Sequence, residues 1–151
     1  MDKMSRIGLS VFAVTLLLGP VSALAGSSPT MQKANLDGME VHAYGKISKQ
    51  VAEMNGLTAV KVTFQPGAKW SHDLKPHAGT EMCDLPHVAY VLSGAMEVQM
   101  KDGSKEIFRK GDIMMLPPQH DAWTIGDEPF VFVQMSAGDD YYADQVKKLA
   151  K

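Results

Sequence analysis

Residues 81–94 read Glu81-Met82-Cys83-Asp84-Leu85-Pro86-His87-Val88-Ala89-Tyr90-Val91-Leu92-Ser93-Gly94. Glu81, Cys83 and His87 share one parity in this stretch. On a pleated strand, residues of one parity point to one face. Three metal-binding side chains therefore face inward together if the turn around Pro86 keeps the phase. A second cluster follows from Gly111 through Pro117 and Pro118 to His120. His120 closes an apolar run just after the Pro-Pro stop. Four donors on two hairpins suit a small β-barrel that holds one metal ion.

Working outward, the chain reads as β. Asn55-Gly56 separates Ile47–Met54 from Leu57–Phe64, and Asp102-Gly103 separates Met96–Lys101 from Ser104–Phe108. Asn-Gly and Asp-Gly between alternating apolar residues are strong two-residue hairpin signals. Pro66-Gly67, Lys110-Gly111 and Gly126-Asp127 mark further turns. Val60, Val62, Phe64, Val91, Val98, Ile107, Ile113, Trp123, Ile125, Val131 and Val133 supply strand-forming side chains. Many short strands with regular turns predict a sandwich or barrel over residues 41–138. Residues 139–151 alone read as helical, a short polar terminal helix. Internal repeats, a phosphate-binding glycine loop, Gly-x-Ser-x-Gly and Cys-x-x-Cys are all missing from the sequence.

Residues 1–25 read as a secretory signal peptide. Lys3 and Arg6 make a positive start, Ile7 to Gly19 is apolar, and Ala23-Leu24-Ala25 is a small-x-small cleavage site. A membrane-spanning helix needs about 20 apolar residues, and this run is shorter and ends at Pro20. Cleavage after Ala25 predicts a periplasmic or secreted protein with no membrane attachment once the leader is gone. Residues 26–40 follow as a small, polar N-terminal arm. Losing Lys3, Arg6 and Asp2 takes the formal charge from −2 to −3. A mildly acidic chain without a basic stripe argues against nucleic acid as a partner.

The single cysteine is informative in that compartment. Exported cysteines usually pair, and Cys83 has no partner in its own chain. It is then an intermolecular disulfide, a buried inert thiol or a metal ligand. Its place two residues from Glu81 and four from His87 points to a ligand.

These motifs resemble the two sequence motifs of the cupin family. Counting back from Gly94, the family's Glu position holds His87, its His-x-His positions hold Cys83 and Glu81, and its leading Gly position holds Lys75. The second motif matches Gly111, Pro117 and His120 in shortened form. The frame is kept and the ligand types are permuted. A closer resemblance is to small single-domain bacterial cupins, through Trp70, Ser71, Lys75, Pro76, Gly79, Thr80, Cys83, His87, Tyr90 to Gly94, Pro117, Pro118 and His120 to Trp123. The resemblance implies an all-β, single-domain cupin barrel, the double-stranded β-helix or jelly roll. It implies a metal site and not an activity, because such folds host many functions.

The expected site takes Glu81, Cys83, His87 and His120 as ligands of one divalent metal ion. A carboxylate and a thiolate then balance the ion's charge. Mixed S, N and O donors at tetrahedral count favour zinc; iron, nickel and manganese stay open, as cupins use them too. A free Glu81 would instead be the general base beside a metal-bound water. Trp70, Lys75, His77, Asp121 and Trp123 are the expected pocket and supporting residues. Asp121 would orient His120 or a neighbour, since a ligating ring donates its other N–H to an acceptor. The two tryptophans equally suit ordinary packing, Tyr90 has the outward parity, and the 11 methionines suit core filling.

Three functions fit this reading. A metal-dependent enzyme acting on a small molecule comes first. A non-catalytic module that captures a small ligand or a metal comes second, and a Cys83-based redox or metal sensor third. A small molecule is the expected partner, and a homodimer stays open.

Overall fold

The computed structural model describes residues 31–136. The expected leader over residues 1–25 and the expected terminal helix over 139–151 lie outside them. Nine strands run in chain order: β1 (His42–Tyr44), β2 (Ile47–Met54), β3 (Leu57–Phe64), β4 (His87–Ser93), β5 (Ala95–Met100), β6 (Lys105–Arg109), β7 (Ile113–Leu116), β8 (His120–Ile125) and β9 (Phe130–Ser136). They form a six-stranded sheet, β1-β2-β3-β9-β4-β7, and a three-stranded sheet, β6-β5-β8. All pairings are antiparallel.

The two expected hairpins are present. Met54 pairs with Leu57 across Asn55-Gly56 in the two-residue register. The second hairpin forms around Asp102-Gly103, but Gln99 pairs with Lys105, one residue off the two-residue register, so Lys101 joins the turn. Alternation then decides which face is buried. In β9, Phe130 and Phe132 are buried while Val131 and Val133 are less so; in β7, Met114 and Leu116 are buried while Ile113 and Met115 are exposed. Period-2 patterning of this kind buries one face of each strand.

One core joins the buried faces of both sheets. Ile47, Phe64, Ala89, Val91, Met114, Leu116, Phe130 and Phe132 come from the larger sheet; Met96, Val98 and Ala122 come from the smaller. Phe130 and Phe132 stack at 5.9 Å between ring centroids. Each large apolar side chain buried here contributes roughly 1.5–3 kcal/mol.

The helical expectation needs correction. Two short helices lie within the barrel segment, α1 (Trp70–Asp73) and α2 (Lys75–Ala78). Asp73 folds back to accept the Lys69 N–H at 2.9 Å and also the Lys46 N–H at 3.1 Å. Pro76 lies in the first turn of α2, and Gly79 ends it in the left-handed conformation, φ 71°. Proline at the start and glycine just past the end are ordinary helix boundaries. The segment was too short for a helical period to show. The described part of the N-terminal arm carries a single 3-10 turn, Leu36–Gly38, with Asp37 paired to Lys61 of β3. Among the described residues, no helix is long and apolar enough to cross a membrane.

Candidate metal centre

His87 opens β4 and sits opposite Leu116 of β7. Its parity is that of Ala89 and Val91, both buried, so its ring enters the barrel. His120 opens β8 from the other sheet. Cys83 lies before β4 and forms an isolated bridge with His120, in which the Cys83 N–H donates to the His120 carbonyl at 2.9 Å. Pro117 and Pro118 end β7, and Gln119 turns the chain with φ 71°, the sole positive φ outside glycine among the described residues. That conformation is strained for a side-chain-bearing residue. It is held from both ends: the Gln119 N–H donates to the Cys83 carbonyl at 2.6 Å, and its side-chain amide bonds the Asp84 carboxylate.

The result brings Cys83, His87 and His120 together, with one ligand atom from each lying within 4.8 Å of the others. Cys83 Sγ is 3.5 Å from His87 Nε2, and the two imidazoles meet edge to face with centroids 5.3 Å apart. Each ring is fixed by its other nitrogen. His120 Nδ1 lies 2.7 Å from the Pro117 carbonyl, which can only accept, so Nδ1 carries the proton. His87 Nδ1 lies 2.7 Å from Gln134 Oε1, again an acceptor. Both Nε2 atoms therefore carry the ring's lone pair, and that of His87 faces Cys83 Sγ.

The surroundings set the charges. Cys83 is 5 % and His120 2 % exposed. Burial pushes His87 down to about 4; the Gln134 bond opposes this and the nearby His120 ring adds to it. Burial also lowers His120, against the Pro117 bond and the Asp121 charge. Both rings are neutral donors at neutral pH. Burial pushes the Cys83 thiol up, against its bond to the Leu85 carbonyl and with the Asp84 charge adding to the rise. The thiol must lose its proton to bind a metal, as thiolate is the ligating form.

Glu81 does not join this group. Its side chain is 89 % exposed and its carboxylate bonds the Lys75 ammonium. The parity argument fails there because no strand connects Glu81 to His87: the strand starts at His87 itself. Lys75 is thereby held at the Glu81 loop. His77 is exposed and packs edge-on to Tyr44. Asp121 does not orient His120; it accepts from the Ser71 and Ala122 amides at 3.0 and 2.9 Å and pairs with Lys69. Neighbouring strand residues point to opposite faces, so Asp121 faces away from His120. Trp123 shares the outward parity of Asp121 and lies under Lys69 and Lys105. Trp70 is buried in the core. Gln134 and the Pro117 carbonyl were the missed partners. Gln134 did leave a signal, as a polar residue in phase with the buried Phe130 and Phe132.

Sequence and structure comparisons now place the chain. The EutQ-like cupin domain model matches residues 58–131. An RmlC-like cupin from Shewanella frigidimarina is 21 % identical with a TM-score of 0.50, over 75 % of this chain and 96 % of its own. A Cupin 2 conserved barrel domain protein from Salinispora arenicola is 18 % identical with a TM-score of 0.53, over 81 % and 98 %. The polyketide cyclase RemF from Streptomyces resistomycificus is 14 % identical with a TM-score of 0.53, over 70 % and 78 %. No curated protein sequence matches the chain. Residues 58–131 are thus similar to a cupin domain, and the chain has the expected all-β jelly-roll fold that these cupin structures share.

Proposed function

We propose that this chain is a metal-binding protein whose working site is one metal ion held by Cys83, His87 and His120. The observation that carries this is the convergence of one sulfur and two ring nitrogens within 4.8 Å, with both Nδ1 atoms engaged elsewhere. Hydrogen bonds that fix the tautomer and aim of a ligating ring are the usual support of a metal site.

Capture of a metal, rather than turnover of a substrate, is the role this geometry favours. The metal-binding group contains no carboxylate, and Glu81, the expected general base, points to solvent. An acid–base catalyst must lie within hydrogen-bond reach of the reacting proton. The second reading is a metal-dependent enzyme, favoured by the count of three protein donors, which leaves one position for water or a small molecule. The expectation of zinc took Glu81 as the oxygen donor of a mixed S, N and O set, and Glu81 was also the second anionic ligand that balanced a divalent charge. Without it, a divalent ion keeps a net positive charge in a buried setting.

Elemental analysis tests the reading. The purified protein should carry about one metal ion per chain and the His87→Ala variant a small fraction of that, because two remaining donors hold a metal weakly. Full occupancy in His87→Ala would overturn it. Export completes the proposal: the charged start, apolar run and Ala-x-Ala end motivate cleavage after Ala25. Intact mass of the exported protein should begin at Gly26, and a retained leader would contradict export by this route.

A further inference from the structure

Cys83 and His120 are not the whole of their row. His120 has a bridge partner on each side: Cys83 on one and Met100 of β5 on the other. Side chains directly opposite each other across antiparallel strands share a face, with Cβ atoms about 4.5–5.5 Å apart. In β5, Met96 and Val98 are buried toward the core, and Met100 continues that parity, half-buried at the strand end. Cys83, His120 and Met100 therefore stand side by side on the inner face of the smaller sheet, and His87 reaches them from the larger one. That register makes a thioether available beside the thiolate and the two imidazoles.

Two properties of that set point the same way. Thiolate and thioether are soft donors that select monovalent copper, and two imidazoles with one thiolate and a weak thioether is a known copper-binding arrangement. Thioether has little attraction for zinc, whose protein ligands are thiolate, imidazole and carboxylate. Charge agrees. One thiolate neutralises a monovalent ion but leaves a divalent one with a net charge of +1. Cys83 and His120 are almost fully buried, and an uncompensated charge in such a place is costly.

We propose that the Cys83–His87–His120 centre takes monovalent copper in preference to zinc, with the Met100 thioether as its fourth donor. This rests on the metal-centre reading above and specifies its ion. A fourth protein donor closes the coordination shell, in keeping with metal capture.

The test uses the full chain, stripped of metal and kept anaerobic and reduced. Copper(I) affinity is read by competition with a chromophoric copper(I) chelator, and zinc affinity with a chromophoric zinc chelator, for wild type and Met100→Leu. Leucine is close to methionine in volume and packs in its place. Copper(I) should displace zinc from the wild type. Met100→Leu should weaken copper(I) by about tenfold or more and move zinc by less than about twofold, as expected for loss of a soft donor. Unchanged copper(I) affinity in Met100→Leu, or an equal loss for both metals, would overturn the proposal. X-ray absorption of the copper(I)-loaded wild type provides a measurement that needs no variant: two sulfur scatterers are expected, and one alone would refute Met100 as a donor. Cys83→Ser and His87→Ala separate the two levels. If they keep full affinity for both metals, the metal centre itself fails. If they lose both metals while Met100→Leu behaves like wild type, only the copper assignment falls.

Discussion

His87 enters the barrel as a neutral ring, and that has a measurable price in acid. Unfolded, it takes up a proton near pH 6.5; folded, burial holds it at about 4. Between those values the unfolded state binds more protons than the folded one, so stability falls as pH falls. The contribution is fully present above about 6.5 and fully lost below about 4. Its size is on the order of 3 kcal/mol, less for whatever solvent reaches the ring. Urea unfolding of the metal-free protein should show this slope, and His87→Phe should flatten it. An unchanged slope in His87→Phe would assign the acid sensitivity elsewhere. Cys83 behaves in the opposite sense, since its thiol is pushed up. Three of the four residues expected as ligands, Cys83, His87 and His120, lie together in the structure, and they stood out in the sequence as Cys and His beside an apolar strand. Glu81 was misread because parity has meaning only along a continuous strand, and the chain between Glu81 and Pro86 is a loop.

At the scale of elements, hairpin turns were the most legible features. Asn55-Gly56 fixes its register by local chemistry alone, and Met54 pairs with Leu57 as it requires. Asp102-Gly103 marks its hairpin, but the register is one residue off the two-residue turn. The short helices over 70–78 were not legible, as each is a single turn, and Asp73 of α1 is held by the Lys46 and Lys69 amides. Lys69 caps the same helix, but Lys46 is 27 residues away in sequence. Gly94, at the end of the deciding stretch, has a role that only the fold reveals. Its φ is 73°, and a Cβ there would lie 2.5 Å from the Pro129 carbonyl oxygen and 2.8 Å from Phe130 Cα. Gly111 has a φ of 96° but open space around it. Gly94→Ala should therefore cost about 2–4 kcal/mol in chemical denaturation, through clash and strain together, and Gly111→Ala about 1 kcal/mol from strain alone. Equal losses would mean that the β4–β9 approach at Gly94 yields easily.

For the molecule as a whole, the barrel works as a clamp between two sheets. His87 arrives on the larger sheet, His120 on the smaller, and Cys83 from the loop before β4. A metal bound there ties the sheets together, so its removal should lower thermal stability as ligand linkage requires. The cupin frame was readable from motif spacing. The support of the His87 ring was not, because Gln134 reaches it through β9, far from the motifs in sequence. The most direct measurement is X-ray absorption at the metal edge of the loaded protein, compared between wild type and Cys83→Ser. The wild type should show a short metal–sulfur distance near about 2.3 Å beside imidazole nitrogens, and the variant should lose that thiolate scatterer. A shell of nitrogen and oxygen alone, identical in both proteins, would contradict the centre described above.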